Sequence, residues 1–134
     1  MSWDVMLYPL SEDLRSVDDL PADARLPPIG PLATVHEGLR AAEPGIDLND
    51  PVWGVLTGEG RSIEVDIGHH DPVEAIMLHV RGGGDDALAA IFRLGRGIGC
   101  RPVDLSEGDL LREGDPAAWH EFQSYRDQVF HDHP

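Results

Sequence analysis

The chain has 134 residues, of which 25 are acidic and 10 basic, giving a formal charge of −15, and 41% are apolar. That length suits one domain with a modest core, since roughly 100–150 residues is the commonest domain size. We expect a single domain over residues 1–134. Such a charge repels nucleic acid and anionic membrane and draws basic partners inward, and it also serves plain solubility. No apolar run approaches the ~18 residues of a bilayer span.

All ten basic residues are arginine, the usage of a GC-rich bacterial genome. The N-terminal MSWDVMLYPLSED carries no basic residue ahead of its apolar part. That argues against a secretory signal and for a cytoplasmic protein. Cys100 is the only cysteine, so no internal disulfide can form.

Taken in order, Trp3 to Tyr8 alternates and reads as a strand that Pro9 ends. Ser11 to Gly30, with three prolines and several acids, has no sustained period. It reads as a surface loop with one helical turn, long enough to cover an edge or meet a partner. Pro31 to Glu43 reads as a helix, with Leu32, Val35, Leu39 and Ala42 on one face and Pro44-Gly45 as its stop. Gly38 weakens it by roughly 1 kcal/mol relative to alanine.

Trp53 to Thr57 reads as a short strand, followed by a Gly58-Glu59-Gly60 turn. Arg61 to Ile67 alternates most clearly, with Ile63, Val65 and Ile67 inward and Ser62, Glu64 and Asp66 outward. After a turn over Gly68 to Pro72, Ala75 to Arg81 returns with Ile76, Leu78 and Val80 inward. Antiparallel pairing then sets Glu64 and Asp66 beside His79 and Arg81 on the outer face.

The glycines from Gly82 to Gly84 break that strand. Asp85 suits an N-cap, and a helix runs to about Ile98. Gly95 and Gly97 weaken its second half or allow close packing on the sheet. Arg101 to Leu105 reads as a strand, placed at an edge because Pro102 cannot donate to a ladder. Ser106 to Gly114 is an acidic connection broken by Leu110-Leu111. Asp115-Pro116 then starts a last helix, lined by Trp119, Phe122, Tyr125, Val129 and Phe130. The order β-α-β-β-β-α-β-α points to an α+β domain, one mainly antiparallel sheet with helices packed on one face.

Few residues point to chemistry. The Arg81 to Asp86 stretch joins a strand to a helix, as phosphate cradles do. It matches no nucleotide-binding pattern, and its aspartates sit where a phosphate would, so a turn capped by aspartate is the better reading. Adjacent turn histidines such as His69 and His70 seldom converge on one metal, and no supporting ligand set accompanies them, so we expect no metal and no cofactor. Ser106 lacks a nucleophile context and reads as turn chemistry. Cys100 reads as a small buried apolar residue ahead of a reactive thiol.

The outer-face group of Glu64, Asp66, His79 and Arg81 is the best candidate for catalysis. A carboxylate beside an imidazole orients it for acid–base work. A solvated sheet face with cross-strand ion pairs explains the same residues, as does a face that meets a partner or a second copy around Met77.

The segments SWDVMLY, DPVWG, SIEVDIG and DPVEAIMLHVRGGG resemble a family of small uncharacterised bacterial proteins, a domain of unknown function. A weaker echo lies in PVDLSEGDLL (Pro102 to Leu111), where Glu107 departs from a threonine-like position. The resemblance covers most of the chain and implies a fold without an activity. In size, acidity and α+β make-up the chain is also loosely similar to immunity proteins of bacterial toxin systems.

Three functional readings follow. In the first, the chain is a non-enzymatic module that binds a basic protein, an immunity-type inhibitor being one form. In the second it is a small enzyme or ligand-binding domain, with His79 as acid–base and Arg81 as anion clamp. In the third it is a homodimer joined through the outer face.

Overall fold

The computed structural model describes residues 2–82 and 85–113, without the side chain of Asp85. The helix expected from Asp115, and the turn at Gly83-Gly84 with its Asp85 cap, lie outside the described residues.

Six strands form one antiparallel sheet: β1 (Trp3–Tyr8), β2 (Trp53–Gly58), β3 (Arg61–Asp66), β4 (Ile76–Gly82), β5 (Arg101–Asp104) and β6 (Asp109–Leu110). Their spatial order is β2-β3-β4-β1-β5-β6. Among the described residues, two α-helices, α1 (Leu32–Ala42) and α2 (Asp85–Gly97), interrupt the strands. The fold is therefore α+β, as the alternation of periods predicts.

The residues that alternate inward on the central strands, such as Val5, Leu7, Ile63, Val65, Ile76, Leu78 and Val80, are fully buried. They share one cluster with Val35 and Leu39 of α1 and with Ala87, Ala90, Ile91 and Leu94 of α2. Burying each of the larger side chains contributes roughly 1.5–3 kcal/mol. Both helices thus cover the same face of the sheet.

Glycine sets how closely the helices approach. A Cβ on Gly38 would lie 2.3 Å from the Gly97 carbonyl oxygen, and one on Gly97 would lie 2.5 Å from that of Gly38. Gly97 therefore lets α2 meet α1 backbone to backbone, and it is Gly95 that packs toward the sheet, where an added Cβ would lie 2.9 Å from the Cys100 carbonyl oxygen and 3.7 Å from Leu7.

One expectation changes, and one contact is new. β5 is not an edge strand, since β6 pairs outside it through Val103–Leu110 and Asp104–Asp109. Pro102 is tolerated because its backbone faces β6 where that two-residue strand ends, and its carbonyl accepts from Leu111 N–H at 3.0 Å. Asp71 is no bystander of its turn. Its carboxylate accepts the Leu32 N–H at 3.0 Å and caps α1, whose preceding residue, Pro31, makes no side-chain cap.

The Ser11 to Gly30 loop holds one 3-10 turn, Val17–Asp19, capped by Ser16. Arg101 Nη1 donates to the carbonyls of Ser11 and Leu14, and Arg112 donates to that of Arg15. Leu14, Val17 and Leu20 pack on a second cluster of Leu10, Val103 and Leu110. Val103 pairs with Met6, so this cluster lies on the sheet face opposite the helices. The loop covers the β5–β6 end of that face.

Candidate functional site on the outer sheet face

Away from the loop, no described element covers the outer face. None of Asp4, Met6, Trp53, Val55, Glu64, Asp66, Met77, His79 and Arg81 is buried, so no described element layers over them. Register decides which of these meet. His79 stands opposite Glu64 on one side and opposite Asp4 on the other. Asp66 stands opposite Met77 and Trp53.

The four expected residues share the face, and Glu64 stands beside His79 and Arg81 as expected, whereas Asp66 does not. Arg81 pairs with Glu64 at 3.1 Å, diagonally across β4 and β3. His79 is served by Asp4 instead, with Nδ1 2.8 Å from Oδ1. Ser2 Oγ donates to the same oxygen at 3.0 Å. A carboxylate oxygen accepts, so the imidazole donates through Nδ1 and leaves Nε2 without a partner among the described residues. The Asp66 carboxylate makes no hydrogen bond or ion pair among the described residues.

Trp53 completes the group. Its ring stacks on His79, with centroids 5.7 Å apart and planes 21° apart. The indole spans β3 from the edge strand to reach β4. Asp4 and Trp53 were both readable as strand residues, yet neither could be placed beside His79 without the strand order. Facing position on β1 was the one available signal for Asp4.

The resulting surface carries three carboxylates, one guanidinium already paired, one imidazole and a half-buried indole. Electrostatically it is an acidic sheet face with an aromatic centre. As a catalytic site it supplies an oriented imidazole. As an anion clamp it is weak, because the Arg81 charge is met by Glu64.

The remaining candidates stand apart from this face. His69 and His70 are exposed in the turn, and no group of three or more His, Cys, Asp or Glu among the described residues is placed to hold a metal ion. Ser106 donates through both N–H (3.0 Å) and Oγ (2.7 Å) to Asp104, which is only 3% exposed and also accepts from Trp3 Nε1 at 3.1 Å. That is turn and core chemistry. Cys100 is 6% exposed, and burial pushes its thiol up to about 12. No described helix is long and apolar enough to cross a membrane.

No family model, curated protein or solved structure matches the chain.

Proposed function

We propose that this chain is a protein-interaction module that receives a basic partner on the open part of its outer sheet face. One observation carries the reading. Half of that face is bare of any described element, and it gathers Asp4, Glu64 and Asp66 around Trp53. Tryptophan in a half-buried setting is the residue type that anchors interfaces, and unpaired carboxylates such as Asp66 steer and orient a cationic partner. The charge of −15 acts in the same direction over a longer range.

Inhibition of a basic enzyme, in the manner of an immunity protein, is the specific form we favour. A cytoplasmic setting fits it.

The test is comparative capture. The wild-type chain and a Trp53→Ala/Asp66→Asn variant are immobilised side by side at low salt. A basic protein retained by the first, lost by the second and released by high salt supports the reading, once its direct binding is shown with purified components. Equal retention by both would end it.

The Asp4–His79 contact favours a second reading, a ligand-binding or acid–base site on the same face. An imidazole oriented through Nδ1 presents Nε2 as a base. Saturable small-molecule shifts at the His79 and Trp53 amides, with no protein partner present, would transfer the assignment to it. A second copy of the chain is the third occupant, and sedimentation at micromolar concentration decides it.

A further inference from the structure

We propose a second binding site, for a small carboxylate with an apolar body, in the cleft between the C-terminal half of α2, the start of β5 and the Ser11 to Gly30 loop. It is independent of the outer-face reading. The cleft has a volume of about 700 Å³, within the range of roughly 300–1,000 Å³ that small-molecule sites occupy. Leu10, Phe92, Cys100 and Leu111 give it apolar walls. Leu10 belongs to the outer cluster, while Cys100 and Leu111 belong to the main core, so the cleft opens where the two clusters adjoin.

Its charges run against those of the chain. Arg96, Arg101 and Arg112 line it, against Glu12 and Glu113. Arg96 and Glu113 pair with each other. Among the described residues the Arg101 and Arg112 guanidinium groups donate to backbone carbonyls alone, and no described carboxylate is bound to either. In a protein with 25 acidic residues, that leaves a local excess of positive charge in a cleft with both polar and apolar walls.

Arg101 is the recognition element. Both of its protein bonds, to the Ser11 and Leu14 carbonyls, leave from Nη1. They fix the guanidinium and leave Nε and Nη2 without an acceptor among the described residues. Those two nitrogens form the edge that grips a carboxylate with two parallel hydrogen bonds. The head group of the ligand binds there, with Arg112 adding charge, and its body lies on Phe92, Leu10 and Leu111. Holding the guanidinium in place beforehand removes part of the ordering cost of binding.

The probe is 2-naphthoate, titrated into isotopically labelled full-length protein and followed by amide shifts. Saturable shifts at Gly99, Arg101 and Leu111, with the neutral analogue 2-naphthalenemethanol at least about tenfold weaker, are expected, about tenfold being the size of one lost charge-assisted contact. Arg112→Gln should weaken binding severalfold, and Arg101→Gln should weaken it further. Arg101→Gln also loosens the loop, so the neutral analogue on wild-type protein is the decisive arm. No saturation, equal binding of the neutral analogue, or shifts confined to the outer face around His79 would each overturn the proposal.

Discussion

His79 Nδ1 and Asp4 Oδ1 meet at 2.8 Å across 75 residues of sequence, because β1 inserts beside β4 in the sheet. This contact, with Trp53 stacked on the imidazole, is what gives the open face a defined centre. Asp4→Asn keeps the side-chain shape and removes its charge. Because the pair is partly exposed, the cost to stability should be at most about 1 kcal/mol. Binding of a basic partner should fall by more than the fold does, as titration calorimetry set beside urea denaturation would show.

Gly38 offers a test in which two effects have opposite signs. Helix propensity alone predicts that Gly38→Ala stabilises α1 by roughly 1 kcal/mol. The 2.3 Å approach of a new Cβ to the Gly97 carbonyl predicts the reverse, since backbone cannot step aside as a side chain can. Overpacking of this kind costs about 1–3 kcal/mol, so a net loss is expected in chemical denaturation. A gain in stability would show that the helices separate freely.

Asp104 is a buried carboxylate that joins β5 to Trp3 of β1 and to the Ser106 turn. Asp104→Ala removes the acceptor for three donors at once and should cost about 2–3 kcal/mol or more in urea titration. Asp104→Asn retains one acceptor oxygen and should cost less. Equal losses would mean that the carboxylate charge, and not its hydrogen bonds, fixes the turn.

Burial raises the Cys100 thiol from 9.0 to about 12. The native thiol should therefore react with a disulfide reagent at pH 8 far more slowly than the urea-unfolded chain does. The sign for stability follows from linkage. A folded value above the unfolded one means that the contribution is complete below about pH 9 and is lost as pH rises through about 12. Cys100→Ala should remove that alkaline slope, which parallel melts of the two proteins would record.

Local alternation made β1, β3 and β4 readable almost to the residue, because buried and exposed positions take turns along them. What local pattern cannot carry is order in the sheet. That Asp4 would serve His79 depends on β1 lying between β4 and β5, a non-local fact. β6 escaped because Asp109-Leu110 is too short to alternate, and with it went the position of β5. The role of Asp71 was hidden for a similar reason, since its helix begins 39 residues earlier. The loop had no period of its own because arginine–carbonyl bonds and scattered apolar contacts hold it, and these leave no repeat to read.

The central claim is that the open sheet face receives a basic protein, and comparative capture on wild-type and Trp53→Ala/Asp66→Asn chains tests it most directly. The account predicts a basic protein held by the wild type at low salt, absent from the variant and released as salt screens the charges. A captured protein that binds both chains alike, or the absence of any protein that distinguishes them, would contradict it.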